Sequence, residues 1–336
     1  MMNGIKLLII SFFLTLNLSA QGAPKIPEID RIRLAEAFRL RDNLGNRVWK
    51  DWDKTPFAVI LVTADNEFLI RHPNPSPDFV ATGYDSLLKS NVYFRKRQYP
   101  TNFLATFPAV NGLSTIVVGQ AENTYKKTSS PWVITVLHEH FHQLQDSQPN
   151  IYKDIEALDL ARGDTTGMWM LNWPFPYETP AVKEHFAKMT KLISEAVQIK
   201  DKKEFSAKTA AYLQARDELQ KMLAPDAYRY LSLQLWKEGI ARYTEHRIAK
   251  LAAAGYKPSK EFSALKDFTP FETVERETTS ATLRELTGYK IEREKRELFY
   301  SFGAGEGLLL DRLNPGWQSR YFTDKFYLEK YFAGHK

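Results

Sequence analysis

The 336-residue chain contains no cysteine. It therefore has neither a disulfide framework nor a cysteine that could carry a lipid anchor. Beyond the N-terminus, no apolar run approaches the ~20 residues that a membrane-spanning helix needs. Lysine and arginine outnumber aspartate and glutamate by only 46 to 40, and the excess is spread along the chain, so no nucleic-acid partner is expected. The sequence also lacks internal repeats and low-complexity segments.

The N-terminus has the pattern of a secretory signal peptide. Lys6 precedes an apolar run over residues 7–18, and a small-residue cleavage site ends at Ala20. The apolar run is too short to span a membrane. We expect residues 1–20 to be removed and residues 21–336 to form one soluble domain, periplasmic or secreted, without stable insertion into a membrane.

Strand and helix patterns divide this domain into a strand-rich lobe, residues 24–122, and a mostly helical lobe, residues 123–336. An α+β fold is therefore predicted. The first lobe begins with an amphipathic helix over residues 30–43, which Gly45-Asn46 should end. Strands are predicted at residues 57–62, 68–70, 92–97, 104–107 and 113–118, with a tight turn at Asn111-Gly112.

In the second lobe, apolar periodicity predicts several long helices. One helix begins at Pro180, and the others cover residues 203–223, 225–254, 279–287 and 292–313. A loop at residues 161–178 is rich in aromatic residues, glycine and proline. This loop either lines a substrate cleft or packs on the core.

The stretch with the most chemical information contains His-Glu-x-x-His, formed by His138, Glu139 and His142. In a helix, positions i and i+4 share a face, so both imidazoles can reach one ion. Glu139 then lies beside that ion, where a general base for a metal-bound water is required. His140 sits roughly 200° round the helix from His138 and is not expected to be a ligand. The alternative is a helix that carries solvated histidines.

A tetrahedral zinc site with an open position for water needs a third protein ligand. Glu238 is the preferred candidate, because the small residues Gly239 and Ala241 beside it would let its helix approach the histidine helix closely. Glu245 lies on the same face and could accept a hydrogen bond from a ligand imidazole. We therefore predict one Zn²⁺ per chain, held by the two histidines and Glu238. The other candidates for the third ligand are Asp146, Glu178, His185 and His246. Of these, His185 is expected at the surface.

Three stretches resemble a known clan. Glu-Gly-x-Ala-x-Tyr at residues 238–243, downstream of His-Glu-x-x-His, resembles the gluzincin clan of zinc peptidases. Tyr300-Ser301-Phe302-Gly303 resembles the Tyr-x-x-Gly of its aminopeptidase-like branch, whose tyrosine stabilises the tetrahedral intermediate. Leu113-Ser114-Thr115-Ile116, ahead of the histidine helix, resembles the clan's edge strand, which binds the substrate backbone.

The resemblance covers roughly residues 105–313 and implies a two-lobed, zincin-like catalytic domain. It implies zinc-dependent hydrolysis of a peptide or protein, with Glu139 as the general base. Tyr300 would donate a hydrogen bond to the oxyanion, and Tyr243 and His246 are less favoured donors. The oligomeric state, and whether cleavage is internal or terminal, stay open.

The sequence departs from the clan at two places. Residues 108–111 contain no acid where the aminopeptidases have an amine-binding glutamate. Arg242 stands four residues after Glu238, where thermolysin-like members have an aspartate that orients a histidine. Two other functions are consistent with these motifs: a non-catalytic zincin-fold binding protein, and a zinc amidase acting on a non-peptide substrate such as a cell-wall cross-link. The intact Glu139 argues against the first, because holding zinc does not require a base.

Overall fold

The computed structural model describes residues 23–332, and the predicted signal peptide lies outside them. Six strands form one mixed sheet: β1 (Val59–Val62), β2 (Asn66–Ile70), β3 (Val80–Asp85), β4 (Ser90–Lys96), β5 (Leu104–Val110) and β6 (Leu113–Gly119). Their order in the sheet is β3-β4-β2-β1-β6-β5. The pair β1 and β6 is parallel, whereas the other neighbouring strands are antiparallel.

Helices make up most of the remaining described chain. They are α1 (Glu28–Val48), α2 (Ser129–Asp146), α3 (Ile151–Glu156), α4 (Trp169–Asn172), α5 (Pro180–Gln198), α6 (Lys202–Met222), α7 (Pro225–Gln234), α8 (Ile240–Ala253), α9 (Lys260–Ser263), α10 (Phe271–Gly288), α11 (Ile291–Glu294) and α12 (Leu298–Leu313). A π-helical turn, Leu235–Gly239, joins α7 to α8. The predicted α+β class is confirmed, with a sheet early in the chain and helices after it. Within residues 23–332, no helix is long and apolar enough to cross a membrane.

Helix α1 does not end at Gly45-Asn46, as the sequence predicted, but continues to Val48. The indole of Trp52 packs against Gly45, and a Cβ on this glycine would lie 3.3 Å from the Trp52 ring. Trp52 itself is completely buried. The glycine therefore makes room for a neighbouring side chain and does not stop the helix.

Three other elements differ from the prediction. Strand β3 was not predicted, because its residues are exposed or half-buried and show no alternating pattern. Helix α10 begins at Phe271, not at residue 279. The helix predicted over residues 292–313 is interrupted at Lys295, whose φ is +49°.

Helix α2 lies at the centre of the fold. It packs against α1 and α8 and against strands β5 and β6. Its apolar residues belong to the main core: Trp132, Val133, Val136, Leu137 and Phe141. His138, Glu139 and His142 are buried on the same helix. Buried polar groups are costly unless they are partnered, so the contacts of these three side chains define the site.

Candidate metal centre

The structure brings His138, His142 and Glu238 together, and their ligand atoms lie within 4.8 Å of one another. Nε2 of His142 is 3.2 Å from Nε2 of His138 and 3.2 Å from Oε2 of Glu238. The third separation, from Nε2 of His138 to Oε2 of Glu238, is 3.9 Å. A tetrahedral zinc with bonds of about 2.0–2.1 Å would place its ligand atoms ~3.3 Å apart. The three residues can therefore hold one metal ion.

The other ring nitrogens orient both imidazoles. Nδ1 of His138 lies 2.8 Å from Oε1 of Glu245, and Nδ1 of His142 lies 2.7 Å from Oε1 of Gln145. Both oxygens are acceptors, so each Nδ1–H donates, and in the neutral imidazole each Nε2 carries a lone pair. Two lone pairs 3.2 Å apart would repel each other, so either a proton or a metal ion between them stabilises this arrangement. This donor set therefore fits a divalent cation that prefers nitrogen and oxygen ligands.

The electrostatics of the group also favour a central positive charge. Burial alone would raise the pKa of the Glu238 carboxyl, but the nearby His142 holds it well below its usual range. Burial opposes protonation of His142, whereas the charge of Glu238 raises the pKa of that imidazole. Glu238 is therefore an ionised carboxylate at the centre of the group.

The π-helical turn both presents Glu238 and supports His142. A π turn shifts the α-helical hydrogen-bond register and makes backbone carbonyls available to other donors. Nε2 of Gln145 lies 3.2 Å from the carbonyl oxygens of both Trp236 and Lys237 in this turn. The same amide therefore links the backbone beside Glu238 to the ring of His142. The predicted helix over residues 225–254 is present, but its central distortion was not predicted.

Tyr321 reinforces this support. Its hydroxyl donates to the carbonyl oxygen of Trp236 and lies 2.7 Å from Nε2 of Gln145, which donates to it. Its ring stacks on Trp236 with a centroid separation of 4.8 Å and an interplanar angle of 10°. Tyr321 is completely buried, so these contacts are shielded from water. Sequence reasoning missed both Tyr321 and Gln145, although Gln145 is three residues after His142 and on its side of the helix.

Two glycines bring helix α12 against the π turn. A Cβ on Gly239 would lie 2.5 Å from Cα of Gly303, so only glycine fits on either side. The helix after Glu238 does pack against the histidine helix, as the small residues predicted, but Gly239 itself faces α12. Gly303 lies one turn after Tyr300, and the contact carries Tyr300 into the site. The Tyr300 ring stacks on His138 with a centroid separation of 6.2 Å.

The hydroxyl of Tyr300 faces the Glu238 carboxylate. Burial, and then the charge of Glu238, raise the pKa of Tyr300 well above its usual range. The hydroxyl therefore stays protonated and is a hydrogen-bond donor. The two less favoured donors are engaged elsewhere. The Tyr243 hydroxyl donates to Asp311 over 2.6 Å, and Nε2 of His246 lies 2.8 Å from the Thr282 hydroxyl.

Glu139 is held by a residue of strand β5. The Thr106 hydroxyl donates to Oε2 of Glu139 over 2.7 Å. Thr106 was not predicted as a site residue, since only the tertiary structure brings β5 to α2. Its donation restrains one carboxylate oxygen and leaves the other available for proton transfer.

The predicted edge strand is one strand out of place. Leu113, Ser114, Thr115 and Ile116 belong to β6, which lies between β1 and β5. The hairpin places β5 outside β6, so β5 is the edge strand beside Glu139. The Ser114 carbonyl accepts a hydrogen bond from Nε2 of Gln143 over 2.8 Å. Among the described strands, β5 pairs with β6 alone, which leaves its other backbone edge open.

The remaining candidates lie outside the metal group. Asp146 accepts hydrogen bonds from Ser114 and Lys237, and Glu178 is exposed. His185 is buried, contrary to prediction, with its Nε2 2.6 Å from the Ala215 carbonyl oxygen. The structure therefore favours none of these as the third ligand.

His140 faces away from the metal group. Its ring stacks on Phe57 with a centroid separation of 3.7 Å, and its Nδ1 lies 2.8 Å from Oε1 of Gln143. As expected from the helical geometry, it is not part of the group.

Of the two roles considered for the aromatic loop at residues 161–178, the structure shows packing on the core, and the role in a substrate cleft stays a prediction. Trp173 and Phe175 are buried in the main core. The Met170 carbonyl accepts hydrogen bonds from Tyr230 and Gln234, and Gln234 lies one turn before Glu238. One part of the loop therefore packs on the core, and another borders the site.

No protein-family model, no curated protein and no solved structure matches the chain.

Proposed function

We propose that the protein is a zinc-dependent peptidase in which Glu139 is the general base. The observation that carries the proposal is the convergence of His138, His142 and Glu238 beside a buried glutamate that Thr106 holds in place. Nitrogen and oxygen donors spaced for tetrahedral coordination favour zinc. A site that only holds a metal does not need the carboxylate of Glu139.

Each side chain has a separate role in this mechanism. When bound, zinc would polarise the scissile carbonyl and lower the pKa of water toward neutrality. Glu139 accepts a proton from the attacking water and passes it to the leaving nitrogen. The protonated Tyr300 hydroxyl donates to the oxygen on which negative charge develops. Glu245 and Gln145 keep the imidazoles of His138 and His142 in place throughout.

The open edge of β5 supports a peptide substrate. An extended peptide can add to a sheet edge through main-chain hydrogen bonds. Strand β5 carries Thr106, so a peptide paired with it would pass the carboxylate of Glu139. Pro108 has no backbone N–H, which limits such pairing to the part of the strand before it.

Metal content and turnover test the proposal together. Purified protein should contain about one zinc per chain, and His138→Ala and His142→Ala should each lose it. Glu139→Gln should keep zinc while turnover of a mixed peptide library falls ~10²-fold or more, because the amide cannot accept the proton. Glu178→Gln replaces an exposed glutamate outside the group and is the matched control. Full zinc occupancy in either histidine variant, or substantial turnover by Glu139→Gln, would contradict the proposal.

A further inference from the structure

Two cations share one carboxylate beside the metal group. Nζ of Lys126 lies 3.6 Å from Oε2 of Glu245, and Nε of Arg242 lies 3.6 Å from its Oε1. Both separations are too long for hydrogen bonds. Glu245 is almost completely buried, and its Oε1 accepts a hydrogen bond from Nδ1 of His138. One carboxylate therefore faces two positive charges and pairs fully with neither.

This cluster contains one donor and one acceptor that form no hydrogen bond with residues 23–332. Nε of Arg242 and Oε2 of Glu245 are buried and have no hydrogen-bond partner within the described part of the chain. Buried donors and acceptors are normally satisfied, and an unsatisfied one costs stability. Glu285, another carboxylate near Arg242, accepts a hydrogen bond from Ser301. Arg242 is thus a cation whose Nε has no hydrogen-bond acceptor among the described residues.

The cluster is partly exposed and lies beside the metal group. The side chains of Arg242 and Lys126 retain 15% and 18% of their exposure, so a ligand can reach them. The guanidinium carbon of Arg242 is 5.9 Å from the ring centroid of Tyr300, which in turn stacks on His138. Arg296 also lies near Tyr300, but its Nη1 donates to Gln234 and it approaches Glu238. Arg242 therefore has the freer guanidinium.

We propose that Arg242, assisted by Lys126, binds a carboxylate of the substrate, so that the enzyme prefers peptides with a carboxylate close to the scissile bond. This inference rests on the proposed peptidase function. A guanidinium presents paired N–H donors that match the two oxygens of a carboxylate, and lysine adds a point charge. The carboxylate is either the C-terminus of the peptide or an aspartate or glutamate side chain.

The test uses zinc-loaded protein and matched peptide libraries. In the first pair, one library ends in a free carboxylate and the other in an amide. In the second pair, one library carries Asp and Glu, and the other carries Asn and Gln instead. Wild type should cleave the acidic member of one pair with a ~10- to 100-fold higher kcat/KM, as expected for hydrogen bonds to a charged group. Arg242→Gln should bring this ratio close to one, and Lys126→Gln should lower it. Arg247→Gln changes an arginine of α8 that pairs with Asp311, and it should keep the ratio.

The pair that shows the preference identifies the source of the carboxylate. A wild type without preference, or a preference that survives Arg242→Gln, overturns the inference and leaves the peptidase function intact. Zinc content, measured for each variant, shows whether Glu245 and His138 are undisturbed. If Arg242→Gln does not fold, Lys126→Gln tests the inference in its place. A ratio of kcat/KM for acidic and neutral libraries equal to that of wild type would then overturn the inference.

A binding measurement separates this inference from the function itself. Cleavage of no library by wild type would refute the peptidase function. Calorimetric titration with N-acetyl-leucine and N-acetyl-leucinamide then tests the subsite alone. The same titration with the N-acetyl amides of aspartate and asparagine presents a side-chain carboxylate and its amide. Tighter binding of either acid that is lost in Arg242→Gln supports the carboxylate subsite, and equal binding of acid and amide in both pairs overturns it.

Discussion

The hydroxyl of Tyr300 is a protonated donor that faces Glu238, while the ring of Tyr300 stacks on His138. Tyr300→Phe removes the donor and keeps the ring. We expect the rate of peptide hydrolysis to fall ~10²- to 10³-fold, the usual cost of losing one oxyanion donor. Zinc content and melting temperature should hardly change, because the packing is retained. Steady-state turnover on one peptide measures the effect.

Tyr243→Phe is the matched control for this variant. Its hydroxyl is bound to Asp311 and Gln318, away from the metal group. The rate per folded molecule should therefore stay close to that of wild type. Loss of turnover in Tyr243→Phe, with normal turnover in Tyr300→Phe, would assign the oxyanion donor to Tyr243 of helix α8.

Sequence reasoning found the residues whose positions follow from helical spacing. His138 and His142 are four residues apart, and Glu238 lies beside Gly239 in a long helix, so a metal group could be predicted. Thr106 and Gln145 were missed because their partners are set by tertiary structure. Thr106 reaches Glu139 only through the strand order of the sheet, and Gln145 reaches the π turn only through the packing of α2 on it.

At the scale of helices, the contact between Gly239 and Gly303 sets the distance between α12 and the π turn. In Gly303→Ala, the new methyl group would lie 2.6 Å from Cα of Gly239 and 2.9 Å from the Leu235 carbonyl oxygen. Backbone cannot yield as a flexible side chain can, so the helices must separate. We expect a loss of about 1–3 kcal/mol in the free energy of unfolding, together with weaker zinc binding. Denaturant melts and zinc titration measure the two effects.

Gly288→Ala provides the control for this substitution. Gly288 ends α10, and a Cβ there would meet nothing within 4 Å. Its stability should be unchanged or slightly higher, since alanine restricts the unfolded chain more than glycine does. Equal stability of Gly303→Ala and wild type would show that the two helices can move apart freely.

The periodicity of apolar residues predicted where most helices lie but not how they are distorted. The helix over residues 225–254 was expected as one regular element, whereas the structure has the π turn Leu235–Gly239 within it. Apolar spacing is insensitive to such a local change, because α7 and α8 each keep a regular apolar face. Strand β3 was missed for the related reason that an exposed edge strand carries no apolar alternation.

At the scale of the molecule, the metal group joins parts of the chain that are distant in sequence. Two ligands come from α2, and the third lies almost 100 residues later, in the π turn. A metal that binds only the folded chain stabilises it, by about 4 kcal/mol at a free concentration 1,000 times Kd. A chelator should therefore lower the melting temperature of wild type, measured by circular dichroism.

His142→Ala should start from the lower melting temperature and show no further decrease with chelator. An equal chelator effect in wild type and this variant would place the stabilising ion at another site. Re-addition of zinc should restore the melting temperature of wild type alone.

The α+β class could be predicted for the whole chain because strand and helix patterns separate at about residue 122. The order of the strands could not. The resemblance to the gluzincin clan suggested that Leu113–Ile116 formed the edge, but a hairpin can place either of its strands outermost. Here β6 pairs with β1 through a parallel contact, which leaves β5 at the edge.

The position of Tyr321 has a consequence for the order in which the chain is made. This residue holds Gln145, and through it His142, yet it follows Glu238 by 83 residues in the sequence. A ribosome has synthesised both histidines and Glu238 long before the residue that completes their support. Full metal affinity therefore requires the chain as far as Tyr321, and a product that stops before Trp317 would carry all three ligands without the buried aromatic support beneath them.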